Sequence, residues 1–253
     1  LAEATPGGDA VSYQWVDCDR NAVSQRYDRI ARFIPFLDRV LFLPRDFRRS
    51  ATAHLGLSRG DSVLEIGCGT GNSFPYLHDA VGPAGRIYGV DISLGMLRKA
   101  KKLCAANHWH NIELYDCDAA DYTVPAPVDG VLFSLSYNTM PHHRIVLRKA
   151  WDQLRPGGRL VIMDAKLPSG AAGRLLLPFS LWLMRHTMLG NPLIQPWKEL
   201  VAIAEHFDMS ECLFSSYYIC RGMKPLVGAA PRELTEAAND DVMLDMAHRI
   251  AAE

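Results

Sequence analysis

The residues able to do chemistry gather where apolar runs stop. The first run is Val63-Leu64-Glu65-Ile66-Gly67-Cys68-Gly69-Thr70-Gly71-Asn72, a strand-like segment that breaks into three glycines at alternate positions. Such a turn lets the backbone approach a ligand closely. A dinucleotide fingerprint, G-x-G-x-x-G, would put its last glycine at position 72, and Asn72 stands there instead. Glu65 would also repel a pyrophosphate. A carboxylate beside this turn suits a ligand with an amino acid end and a positive charge. Later runs end the same way. Arg86-Ile87-Tyr88-Gly89-Val90 stops at Asp91, and Ile112–Tyr115 stops at Asp116, Cys117 and Asp118. Gly130–Leu135 carries Ser134 and leads to Ser136, Tyr137 and Asn138, and Arg159–Met163 stops at Asp164 and Lys166.

These ends need elements to hold them. Helical patterns alternate with the runs: 73–81, Leu94 to about Asn107 with Ser93 as its N-cap, and Arg144–Leu154 before Arg155-Pro156-Gly157-Gly158. Strands alternating with helices predict a parallel sheet covered on both faces. The near-continuous apolar strands Val131-Leu132-Phe133 and Leu160-Val161-Ile162-Met163 fit burial on both sides. Met209–Phe214 and Tyr217–Cys220 read as two further strands, joined tightly enough to be antiparallel. Ahead of the first strand, 21–43 has helical periodicity bent at Pro35, and Pro44–Leu55 is a basic amphipathic segment. In such folds ligands lie at the carboxyl ends of the strands, which is where the acidic residues collect.

Composition narrows the class. The chain has 253 residues, 49% apolar and 22% charged, with a formal net charge of -1. That balance speaks against a nucleic-acid binder, whose domains carry a strong basic excess. The six cysteines form no C-x-x-C pair, so neither a metal site nor a disulfide framework is expected, and a reducing, cytoplasmic setting is the simpler one. Residues 1–8 have no basic start and no long apolar run, so no secretory leader is read there.

Taken in order, Glu65-Ile66-Gly67-Cys68-Gly69-Thr70-Gly71, then Val90-Asp91-Ile92-Ser93 with Met96, then Asp118-Ala119, then Leu154-Arg155-Pro156-Gly157-Gly158 resemble the successive motifs of class I S-adenosylmethionine-dependent methyltransferases. The resemblance covers roughly residues 20 to 224. It implies an α/β fold with a doubly wound, mostly parallel seven-stranded sheet, and S-adenosyl-L-methionine as cofactor, leaving as S-adenosyl-L-homocysteine. Gly67, Gly69 and Gly71, with Cys68 among them, would cradle the methionine part. Glu65 would orient that turn or meet the amino group through water. Asp91 would take both ribose hydroxyls, Ile92 and Met96 would pack on adenine, and Asp118 with the Ala119 amide would meet its polar edge. Ser134 would touch the cofactor from the fourth strand. Met96 as plain core, and Cys68 as a small turn residue and no nucleophile, stand as the simpler readings of those two.

A narrower resemblance joins Ser24-Gln25-Arg26-Tyr27-Asp28-Arg29-Ile30-Ala31 and Tyr217–Lys224 to the ubiquinone/menaquinone C-methyltransferases and the bacterial phospholipid N-methyltransferases. It implies that Tyr27 lies near cofactor and transferred methyl. The further signature segments of the quinone enzymes do not stand out. The expected organisation is a flexible segment 1–20, a methyltransferase domain 21–225 with a helical cap at 21–57 and an insertion at 167–197, and a helical tail at 226–253.

Methyl transfer asks mainly that donor and acceptor be held in line. An oxygen or activated carbon acceptor also needs a base, and His142 and His143 are the candidates. The alternative is that they merely start the next helix. Asp164 would reach an acceptor or cap a turn. In the insertion, ten of the fifteen residues from Leu175 to Leu189 are large and apolar, too few to span a bilayer. Three readings stand: a lid over a small apolar or lipid-like acceptor, a segment lying on a membrane surface, or a core helix. The tail offers an apolar helical face for the domain or for a homodimer. Three rival functions follow: a phospholipid N-methyltransferase at a membrane surface, a fold relative that binds the cofactor but catalyses a rearrangement, and a nucleotide-dependent dehydrogenase.

Overall fold

A computed structural model of the chain describes residues 46–140, 142–168, 178, 190, 191, 193–213 and 215–226. Tyr27, the segments 1–20 and 21–45, most of the 167–197 insertion and nearly all of the 226–253 tail lie outside these residues.

The described chain runs α1 (Phe47–Leu55), β1 (Ser62–Ile66), α2 (Phe74–Val81), β2 (Arg86–Asp91), α3 (Leu94–Ala106), β3 (Ile112–Asp116) and β4 (Val128–Ser134). After a single 3-10 turn (Tyr137–Thr139) it continues through α4 (His143–Asp152), β5 (Leu154–Ala165), α5 (Pro196–Ile203), β6 (His206–Cys212) and β7 (Tyr217–Met223). The strands form one seven-stranded sheet in the order β3-β2-β1-β4-β5-β7-β6. The pairs among β1 to β5 are parallel, and β7 is antiparallel to both β5 and β6. This is the doubly wound, mostly parallel sheet the sequence predicts.

Strand residues alternate between two apolar clusters. Leu132, Val161 and Met163 join Phe47, Leu55, Phe74, Leu77 and Leu97 on one face. Val131, Phe133, Leu160 and Ile162 join Val146, Leu147, Trp151 and Leu200 on the other. The two-residue period of a strand, with helices on both sides, requires this division. α1 closes the first face, its Phe47 ring lying edge-on to Tyr217 at 5.6 Å.

Several boundaries differ from the sequence expectation. Helix α4 stops at Asp152, two residues short of Leu154, because Leu154 pairs with Val128 and opens β5. Strand β4 ends at Ser134, since Leu135 turns into the left-handed region with φ 55°. Strand β6 begins at His206, earlier than Met209, and its alternating exposure on a sheet edge explains its weak apolar signal. Helix α5, begun by Pro196, is an element the sequence reading did not single out.

The chain leaves β1 for β2 and β3, then returns past β1 to β4. The carboxyl ends of β1 and β4 therefore part at a topological switch point, where folds of this kind open a crevice. At the opposite end of β5, the Lys224 ammonium donates to the carbonyls of Trp151, Asp152 and Leu154 at 2.9, 3.2 and 2.7 Å. Trp151 and Asp152 end α4, where carbonyls lack the usual intrahelical partners, and Leu154 opens β5. The Lys224→Met variant is expected to lose about 2 kcal/mol of stability, since three charge-assisted bonds go at once. Urea denaturation would register this as a lower midpoint at unchanged slope.

Candidate functional site

The glycine turn is pinned from β2. Gly67 and Cys68 both donate their amides to the Val90 carbonyl, at 2.8 and 3.0 Å, and Gly69 donates to Asp91 Oδ2 at 2.7 Å. Gly71 N donates back to Cys68 O at 3.0 Å, which closes the turn before α2. Two of the glycines answer different demands. At Gly67, with φ 70°, a Cβ would lie 2.4 Å from Ser136 Cβ. At Gly69, with φ 55°, a Cβ would meet nothing within 4 Å. The backbone is thus pressed against β4 at the first glycine and faces open space at the second.

Glu65 sits behind the turn, 1% exposed, with Oε2 lacking any hydrogen-bond partner. Burial pushes its carboxyl up to about 8, against the lowering influence of the neighbouring Ser73 hydroxyl and the Arg48 charge. Ser73 does not cap α2; its hydroxyl donates to Ser134 Oγ at 3.2 Å. The Cys68 thiol is pushed well up by burial and by Asp91 and Glu65, which favours the inert reading of that residue.

Along the edge, the Asp91 carboxylate accepts from Gly69 N and, through Oδ1, from Ser93 N at 2.8 Å. As an ionised carboxylate it offers only acceptors, the type of group a sugar hydroxyl donates to. Ser93 then accepts from Met96 N at 3.2 Å as the N-cap of α3. Met96 is 2% exposed yet belongs to neither apolar cluster, while Ile92 is half-buried. Asp118 Oδ1 accepts from Ala120 N at 2.9 Å, and Ala119 is half-buried beside it. Gly67, Gly69, Asp91, Ile92, Asp118, Ala119 and Ser134 are all partly open, whereas most residues of β1, β2 and β4 are buried. The structure brings this set together on one rim.

The fourth-strand loop is built differently. Asp164, 1% exposed, accepts from Asn138 N at 3.0 Å and Ala165 N at 2.8 Å, so it caps the 3-10 turn. Desolvation raises its carboxyl to about 7 despite these donors. Asn138 Nδ2 donates to Ala165 O at 2.6 Å, while Asn138 Oδ1, Tyr137 Oη and Tyr218 Oη are buried without partners. His142 is exposed at the N-cap of α4 and makes no capping bond. His143 is the first residue of that helix, half-buried, its ring edge-on to Tyr137 at 5.4 Å. Burial, aided by the Arg144 charge, lowers its pKa, and a hydrogen bond to the Met140 backbone opposes this.

Ser73 and Ser136 are site residues the sequence reading did not assign. Their signal was available only as position, since both follow a strand by a few residues. Among the described residues, no cluster of three His, Cys, Asp or Glu is placed to hold a metal ion, and no helix is long and apolar enough to cross a membrane.

Residues 63–158 match a family described as "Methyltransferase domain". A demethylmenaquinone methyltransferase of Listeria monocytogenes serotype 4a is 28% identical over 148 residues, 58% of this chain and 60% of that protein. The chain thus spans about three fifths of the length of that relative. Among solved structures, the [4+2]-cyclase SpnF has a TM-score of 0.63 at 16% identity, covering 82% of this chain and 97% of the other. An S-adenosylmethionine-dependent O-methyltransferase from Thermotoga maritima has a TM-score of 0.52 at 16% identity, over 74% and 67%. These two likenesses speak for the fold. S-adenosylmethionine fits the rim on the structure's own terms. Its cationic amino acid end would suit the open face at Gly69 with the Glu65 carboxyl behind it, and its ribose would suit the acceptor-only Asp91.

Glu65 and Asp164 both have folded pKa values above their ordinary ones. Each keeps its proton in the folded protein at pH values where the unfolded chain has released it. Their contribution is complete below the ordinary carboxylate range and is lost as pH rises through about 7 for Asp164 and about 8 for Glu65. The apo protein is expected to lose stability steadily between pH 5 and 8, and Glu65→Gln to flatten the upper part of that decline. Denaturation midpoints collected across this range would show it.

Proposed function

From a chain whose residues 63–158 match a methyltransferase domain, we propose a class I S-adenosylmethionine-dependent enzyme that moves the cofactor's methyl group to a small hydrophobic acceptor by in-line displacement. The observation that carries this reading is the rim itself. One continuous edge holds a pinned glycine turn with open space at Gly69, an unpartnered buried carboxyl at Glu65, and the carboxylates of Asp91 and Asp118.

Bound here, the cofactor supplies an electrophilic sulfonium methyl. The protein's part is to hold and orient. The Gly67–Gly71 turn cradles the amino acid end, Glu65 answers its ammonium, Asp91 takes the ribose hydroxyls and Asp118 with Ala119 meets the adenine edge. Ile92 flanks the ring with the buried Met96 behind it, and Ser134 closes the fourth-strand side. Holding donor and acceptor in line supplies most of the rate enhancement.

The relatives named demethylmenaquinone methyltransferases support an aromatic acceptor, and an activated carbon acceptor needs a base. His143 is the better-placed base. Its half-burial favours the neutral imidazole, and the Met140 backbone fixes one ring nitrogen, leaving the other to accept a proton. His142, exposed at the helix start, is assigned no chemical step. Tyr27, outside the described residues, keeps the role the resemblance implies for it near the methyl, and of the three readings of the apolar insertion the lid over the acceptor accords with this proposal.

Isothermal titration with S-adenosylhomocysteine tests the core of the reading, and a folded protein that does not bind it would refute it. Asp91→Ala is expected to weaken that binding by about 2 kcal/mol, or roughly 30-fold. Unchanged affinity would remove Asp91 from the site. With a demethylated quinol as acceptor, His143→Ala is expected to lower turnover about 100-fold, and His142→Ala to leave it within about twofold. Because the His143 pKa is lowered, the wild-type rate should hold below pH 6.5 before falling.

A further inference from the structure

The turn after β4 touches the glycine turn directly. Ser136, 6% exposed, donates its hydroxyl to the Ile66 carbonyl at 2.7 Å, across the switch point. Its Cβ occupies the space a side chain at position 67 would need. Ile66 is the last residue of β1 and Gly67 the first of the turn, so one side chain grips the hinge between them from both sides. Ser136 is itself held. Thr139 Oγ1 donates to the Ser136 carbonyl at 2.7 Å, and Asn138 is fixed by Asp164 and Ala165. Just before it, Leu135 adopts φ 55°, an expensive conformation for a branched residue. That strain is what delivers Ser136 to β1. A surrounding structure that fixes a residue so firmly commonly does so for a site.

We propose that Ser136 is a positioning residue for the cofactor, setting the shape of the Gly67–Gly71 cradle through the Ile66 carbonyl. The inference rests on the reading that this cradle holds S-adenosylmethionine. Ser136 faces the turn from behind, on the β4 side, while Val90 and Asp91 hold it from β2. Without the hydroxyl, the hinge at Ile66–Gly67 gains freedom, and part of the cofactor's binding energy goes into restoring the cradle.

The test is calorimetric titration of wild type, Ser136→Ala and Ser136→Cys with S-adenosylhomocysteine, together with the Tm of each ligand-free protein. The stoichiometry of each titration gives the competent fraction, so the Kd refers to folded molecules alone. Ser136→Ala, which keeps the Cβ contact and loses only the donor, is expected to raise Kd about tenfold, the worth of one hydrogen bond. Should the alanine variant fail to fold, the cysteine variant, with its weak donor, carries the same comparison. A lowered Tm with Kd unchanged would make Ser136 a stabilising residue only and overturn the proposal. Wild type that does not bind S-adenosylhomocysteine would instead overturn the cofactor reading beneath it.

Discussion

One carbonyl oxygen, that of Val90, receives two successive amides from the neighbouring strand, Gly67 N and Cys68 N. A regular parallel ladder gives a carbonyl one such partner, so the double acceptance is where β1 stops being a strand and becomes a turn. The rest of the rim depends on it. Gly69 is carried over to Asp91, the open space in front of it is created, and Glu65 is left behind in a place where its carboxyl is driven toward the neutral form. The sheet supplies the rigidity for this. Both faces of β1 and β4 are buried, so the two strands cannot shift to relieve the turn.

Much of this architecture was legible in the residues. The alternation of apolar runs with helical periods gave the layer order, because burial on two faces forces it. Glycine spacing and the acidic strand ends marked the rim, because close approach and hydroxyl recognition need those residue types and few others. The antiparallel pair at the end was readable from the short connection between Phe214 and Tyr217. What the sequence did not show was long-range. Nothing at position 136 announces that its hydroxyl will reach position 66, seventy residues away. Asp164 could reach an acceptor or cap a turn, and only its contacts with Asn138 and Ala165 decide for the cap. His142 and His143 are neighbours in sequence, yet one lies in solvent and the other against Tyr137. A helix start separates them, and periodicity locates such starts only to within a few residues.

The two halves of the rim are built on different principles. The cofactor half is backbone, held by amides and offering carboxylates outward. The fourth-strand half is side chain, where Tyr137, Asn138 and Tyr218 each keep a buried polar atom without a partner. Such atoms are costly in a low-dielectric interior and are uncommon in native structures.

The order of the last strands has a consequence for how the chain acquires its fold. Among the described residues, strand β6 pairs with β7 alone, and β7 fills the gap between β6 and β5. During synthesis, β6 therefore leaves the ribosome with no neighbour to join, and β5 offers an open ladder until Tyr217–Met223 follows. Lys224, which ties α4 to the same end of β5, emerges just after. The sheet cannot close stepwise from its amino end; its final third forms as one event. An unpaired edge of this kind invites wrong strand pairing while it lasts. The interval before β7 arrives is thus when the nascent chain is most exposed to aggregation, and the closely spaced β6–β7 connection keeps that interval short.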